Sequence, residues 1–97
     1  MMTSNHAVLF TKDNCVPCQK VKEHVSYLLE GEPSLGRYLS VMKKENHSSL
    51  VEAYELTLFP VLLIVDSAGN EMGRLTGGRL VTSDLRGVLV TLRAFDK

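Results

Sequence analysis

Apolar and polar positions in this chain follow two different periods, and the switches between them mark its elements. Ala7 to Thr11 (AVLFT) is a short apolar run with β-branched and aromatic members, which predicts a buried strand. Lys12-Asp13-Asn14 is a polar loop. From Cys15 the period becomes helical: Cys18, Val21, Val25, Leu28 and Leu29 share one stripe, while Lys20, Lys22 and Glu23 lie off it. Gly31 and Pro33 stop that helix, and Gly36 extends the break. Tyr38 to Met42 reads as a second strand. Ser49 and Glu52 have the spacing of a capping box, and the helix they open is expected to run to about Leu56.

Leu58-Phe59 leads into Pro60, and Val61 to Val65 is then continuously apolar, as expected of a strand covered on both faces. Asp66 to Asn70 is a turn cluster, and Glu71 to Thr76 would return as the second strand of a hairpin. After Gly77-Gly78, the polar group Thr82-Ser83-Asp84 is expected to cap a last helix whose stripe is Leu85, Val88, Leu89 and Leu92. Gly87 lies within that helix, where it is expected to permit close packing on the sheet. The order is β-α-β-α-β-β-α. An opening β-α-β implies a right-handed crossover between parallel strands, and the hairpin adds antiparallel pairing. The expected fold class is therefore α/β, with a four-stranded mixed sheet and helices on both faces.

Composition narrows the function. With 97 residues, 44% of them apolar, residues 1–97 suit a single globular domain. Eleven basic side chains balance eleven acidic ones, so net charge gives no footprint for nucleic acid or an anionic membrane. No apolar run approaches the roughly 20 residues of a membrane span. The leader, Met1 to His6, is short and polar, without the basic flank and apolar segment of a secretory signal. The expectation is a monomer in the cytoplasm, where cysteines are normally held reduced.

The only two cysteines stand together as Cys15-Val16-Pro17-Cys18. A disulfide between them closes a very short loop, with an entropic effect on the unfolded chain of about 2 kcal/mol, less than a bridge between distant segments gives. The pair is placed to react. With Cys15 as helix N-cap and Pro17 in the first turn, unpaired backbone donors and the positive end of the helix dipole face the Cys15 sulfur. That lowers a thiol's pKa from its free value of about 8.5. Cys18, on the apolar stripe, is expected to be buried and protonated beneath an exposed Cys15, so that Cys15 attacks a disulfide and Cys18 resolves the mixed disulfide. Cβ atoms three apart on a regular helix are about 5–6 Å from each other, and a disulfide needs roughly 3.5–4.5 Å. A cap residue with non-helical backbone angles closes that gap. Zinc is not expected, since His6, His24 and His47 provide no H-x₃₋₅-H pair. His24 and His47 read as ordinary structure, and Lys43-Lys44-Glu45 as a solvated strand end.

Strand AVLFT, then CVPC opening a helix, Pro60 before strand VLLIV, a hairpin, a glycine pair and a last helix together resemble the thioredoxin/glutaredoxin superfamily, in particular short glutaredoxins and NrdH-type redoxins. The resemblance spans nearly the whole chain after the leader. It implies a cis Pro60 beside the dithiol, with Phe59 backbone groups pairing with a bound substrate peptide. Lys12, Val16 and Pro17 would border that substrate, and Gly77 and Gly78 would let backbone approach it. Ser83 and Asp84 read first as helix caps; in glutaredoxins a polar pair in that place helps hold glutathione. Four positions depart from the pattern. Pro17 stands third in the motif, as in thioredoxins, where glutaredoxins commonly have the order Pro-Tyr. Leu58 replaces the Thr of glutaredoxins, which weakens the case for glutathione. Asn14 replaces the Trp that precedes the thioredoxin motif. Leu9 stands where thioredoxins bury an Asp, six residues before the first cysteine.

The implied activity is that of a dithiol thiol-disulfide oxidoreductase reducing protein disulfides, with Cys15 and Cys18 catalytic and no tightly bound cofactor. Ribonucleotide reductase is a natural client by analogy, and thioredoxin reductase or glutathione the electron donor. The alternative is a redox-independent accessory subunit that grips a partner with the same surface, including Val16, Leu58 and Phe59. Iron–sulfur cluster assembly is disfavoured by Pro17.

Overall fold

The computed structural model describes residues 5–96. Met1 to Ser4 of the expected leader lie outside the described residues, and its last residue, His6, already belongs to the first strand. Four strands form one sheet: β1 (His6–Thr11), β2 (Leu39–Lys43), β3 (Val61–Val65) and β4 (Glu71–Thr76), in the spatial order β2-β1-β3-β4. β1 pairs parallel with β2 and antiparallel with β3, which pairs antiparallel with β4. The helices are α1 (Val16–Gly31), α2 (Ser48–Ala53) and α3 (Gly78–Phe95). The mixed sheet and the element order match the expectation from the hydrophobic pattern.

Alternation along the central strands builds a core on each face of the sheet. Ala7 and Leu9 of β1 and Leu62 of β3 join Val21 and Val25 of α1 and Val81, Leu85, Leu89 and Leu92 of α3. Phe10 of β1 and Val61 and Leu63 of β3 point the other way, onto Leu56, Val51 and Tyr54 at α2. Both faces of β1 and β3 are thus covered, which is why these strands read as unbroken apolar runs.

Register brings three connections to one end of the sheet. Phe10, near the end of β1, pairs with Val61 at the start of β3, and Val61 pairs with Thr76 at the end of β4. The loop after β1, the loop before β3 and the loop after β4 therefore converge. They carry Cys15, Pro60 and Gly77 respectively.

Several local expectations are corrected. The connection after α1 is a 3₁₀ helix, Pro33–Tyr38, which buries Leu35 and Tyr38, so the second strand starts at Leu39 instead of Tyr38. Lys44–Asn46 is a second 3₁₀ turn instead of a solvated strand end. α2 starts at Ser48 with His47 at its N-cap and no side-chain capping bond, so Ser49 and Glu52 form no capping box. α2 stops at Ala53 because Glu55 takes a left-handed conformation (φ 55°). There the Glu55 N–H donates to the Glu52 carbonyl (3.1 Å) and the Leu56 N–H to the Val51 carbonyl (2.9 Å), a Schellman pair that turns Leu56 into the core. α3 begins four residues earlier than Thr82, capped by the Gly77 backbone, whose carbonyl accepts from the Val81 N–H at 3.0 Å. Gly87 is exposed with nothing within 4 Å of a Cβ built on it, so it does not serve close packing on the sheet.

Candidate active site

Cys15 is the N-cap of α1, with extended backbone angles (φ −131°, ψ 104°), and Pro17 lies in the first turn. The preceding bend is made by Asn14 in a left-handed conformation (φ 55°), which Asn tolerates better than most residues. The extended cap residue lets two sulfurs three apart in sequence meet: Cys15 and Cys18 form a disulfide, with Cα atoms 5.2 Å apart. The Cys18 N–H donates to Cys15 Sγ at 3.2 Å. One of the orphan donors of the helix end is therefore aimed at that sulfur, the arrangement that favours a thiolate after reduction.

The expected exposure of Cys15 is corrected. In this oxidised state Cys15 keeps 7% of its surface and Cys18 none. The asymmetry has the expected direction but is small, because Cys15 Sγ is bonded to Cys18 and lies 4.0 Å from the Phe59 carbonyl oxygen.

Around the disulfide the three loops form a closed ring of contacts. The Phe59–Pro60 peptide is cis. The Pro60 carbonyl accepts a 2.8 Å bond from the Gly77 N–H. Gly77 has φ 99°, a conformation that favours glycine. Gly78 then packs against the motif itself: a Cβ built there would stand 3.1 Å from Pro17 Cβ. Gly78 was expected to admit a substrate's backbone; its close approach in this structure is to Pro17. Val16 and Leu58 project from the rim, 68% and 66% exposed, beside half-buried Phe59.

Lys12 is exposed in the loop ahead of the motif. Its neighbour Asp13 is paired with Lys43 (3.1 Å), and the Asp13 N–H donates to Glu45 (3.1 Å). Ser83 and Asp84 sit in the second turn of α3, too far in to cap it; the Ser83 hydroxyl donates to the Asp84 carboxylate at 3.1 Å, and both are exposed. Leu9 is fully buried, and Thr11 is the sole buried polar residue among the described residues. No group of three or more His, Cys, Asp or Glu is arranged to hold a metal ion among the described residues.

Sequence reasoning missed Lys44, whose ammonium lies 5.5 Å from the centre of the Phe59 ring, within cation–π range. It also left Lys20 and Arg79 without a role, although both border the motif. Nothing in the linear pattern identifies them, since their neighbourhood arises from the loops' convergence.

A four-stranded mixed sheet with a cysteine pair at the N-terminus of its first helix and a cis proline opposite defines the thioredoxin-like fold. Comparison with solved structures gives the same result. The chain is similar to the oxidised mitochondrial thioredoxin 3 of Saccharomyces cerevisiae (TM-score 0.73, 17% identity, covering 93% of this chain and 80% of that one). It is similar to the thioredoxin of Malassezia sympodialis (TM-score 0.74, 12% identity, covering 92% and 75%) and to that of Fasciola hepatica (TM-score 0.69, 20% identity, covering 92% and 81%). No protein-family model matches the sequence, and no curated protein matches it. At identities of 20% or less these likenesses show the thioredoxin-like fold, in which Cys15 and Cys18 are joined as a disulfide. Among the described residues no helix is long and apolar enough to cross a membrane.

Proposed function

We propose that this chain is a dithiol thiol-disulfide oxidoreductase that reduces protein disulfides through Cys15 and Cys18. The observation that carries the reading is the disulfide at the N-terminus of α1, with the Cys18 N–H directed at Cys15 Sγ. In the reduced protein the Cys15 thiolate attacks one sulfur of a client disulfide, and the other client sulfur leaves as a thiolate. Cys18, once its proton has gone to solvent, attacks Cys15 Sγ in the mixed disulfide. The client leaves with both sulfurs reduced, and the two electrons it gained are those lost in forming the Cys15–Cys18 bond. The oxidised protein is then the state described above.

Restoring the dithiol takes a two-electron donor, either a thioredoxin reductase supplied by NADPH or glutathione. Leu58 at the position before Phe59 speaks for the former. A client that ends each turnover with a disulfide, such as ribonucleotide reductase, suits this chemistry, as does a cytoplasmic setting and a monomer. No bound cofactor takes part in the exchange.

Insulin reduction tests the reading. Cys15→Ser is expected to abolish it, and Cys18→Ser to accumulate mixed disulfides with the client; full turnover by Cys15→Ser would overturn the assignment. The exposed Val16 and Leu58 at the rim favour one other reading, a binding subunit without redox turnover. In that case a double Cys→Ala variant would keep the chain's biological function.

A further inference from the structure

Between the first turns of α1 and α3, beside the disulfide, lies a groove of about 560 Å³ lined by Val16, Pro17, Lys20, Arg79, Thr82 and Ser83 over a floor at Gly78. Its walls combine exposed apolar surface at Val16 with the hydroxyl residues Thr82 and Ser83. Its charges are of one sign: the lining includes Lys20 and Arg79 and no carboxylate. Elsewhere Lys43 is matched by Asp13, Arg74 by Glu71, and Arg86 and Arg93 by Glu32. Lys20 and Arg79, like Lys12, Lys22, Arg37 and Lys44, enter no ion pair among the described residues. Glu23 follows Lys20 by three residues on α1 but makes no ion pair with it and does not line the groove. Asp84 lines the neighbouring groove along α3 and is engaged by Ser83. In a chain of zero net charge this is a local surplus, adjoining the reactive sulfurs.

We propose that this groove selects the client: it takes a polypeptide segment flanking the client's disulfide that carries an apolar side chain and one or two carboxylates. The inference rests on the disulfide-reductase reading and adds the substrate class to it. The apolar side chain covers Val16 and Pro17, and the carboxylates meet Lys20 and Arg79. Lys12 is a weaker determinant, because Asp13 and Glu45 sit in its own neighbourhood. Exposed ion pairs are individually weak and screened by salt, so the preference is one of rate, about five- to tenfold between acidic and basic flanks.

The test uses three disulfide peptides, identical except for Asp-Asp, Ser-Ser or Lys-Lys beside one half-cystine, each reduced in a single turnover by the pre-reduced protein. The Asp-Asp peptide is expected to react about five to ten times faster than the Lys-Lys peptide at low salt. That ratio should fall toward one in 1 M salt, where the screening length is about 3 Å. Lys20→Glu/Arg79→Glu should reverse the ratio, and taking the ratio within one variant cancels any change in its folding or intrinsic reactivity. Equal rates at low salt, or a preference unchanged in the double variant, would overturn the proposal while the reductase reading stands. If the Ser-Ser peptide is not reduced at all, the reductase reading falls and this inference falls with it.

Discussion

Among the glycines, Gly78 is the one where an added Cβ would come closest to another atom. A Cβ 3.1 Å from Pro17 Cβ is tighter than ordinary contact, so one of the two first turns must yield. Overpacking of this kind costs roughly 1–3 kcal/mol. Gly78→Ala is expected to lower the urea midpoint at unchanged slope and to slow insulin reduction, since the segment that moves carries the motif. Gly77→Ala should also destabilise, for a different reason: its left-handed φ of 99° penalises any Cβ. The two cysteines differ in access, with Cys18 fully covered. Iodoacetamide titration of the reduced protein followed by peptide mapping should therefore find Cys15 labelled first.

Elements that carry a periodic apolar stripe were legible in the sequence; those held by backbone bonds or tertiary burial were not. β1, α1, β3 and the β3–β4 hairpin follow from runs and periods that residues 7–31 and 61–76 display outright. The start of α3 was misread because Ser83 and Asp84 suggest a side-chain cap, whereas the helix begins on the Gly77 carbonyl. Val81, four residues before Leu85 and fully buried, was the overlooked signal that the stripe extends further back. α2 was misread for the converse reason, since its stop depends on Glu55 adopting a conformation that its side chain disfavours. That gives a further prediction. Glu55→Gly removes a left-handed penalty of about 1–2 kcal/mol and loses about 0.5–1 kcal/mol to unfolded-chain entropy. A net gain of several tenths of a kcal/mol in urea denaturation is the expected outcome. In the site itself, the dithiol and Pro60 were readable from motif and order, whereas Lys20, Lys44 and Arg79 become neighbours of the motif only once the sheet register is fixed.

At the scale of the whole molecule, the C-cap of α1 and the 3₁₀ helix that follows it are fastened by polar contacts to the middle and end of α3. Glu32 accepts from Arg86 at 2.6 Å, Arg93 reaches Ser34 at 2.8 Å, and Tyr38 donates to Asp96 at 2.7 Å. The Arg86 hydrogen bond holds the Glu32 carboxyl below its ordinary pKa, as the Asn70 backbone does for Asp66 and the Arg74 side chain for Glu71. Depressed carboxyls stabilise the folded state above the ordinary carboxylate range of about 4 to 4.5, and that contribution is lost as pH falls through the lowered values. Burial lowers the His6 pKa too, so its neutral form is favoured and stability begins to decline below about 6.5. Urea midpoints measured from pH 7.5 down to 3 should fall monotonically, and Glu32→Gln should flatten the acid limb.

With Thr11 the sole buried polar residue among those described, the core stores no carboxylate to receive a proton from Cys18. Hydroxide or buffer in the medium must then deprotonate the second sulfur. Release of a trapped client from the mixed disulfide should accordingly accelerate with alkalinity and with buffer strength, and a release rate indifferent to both would point to an internal base.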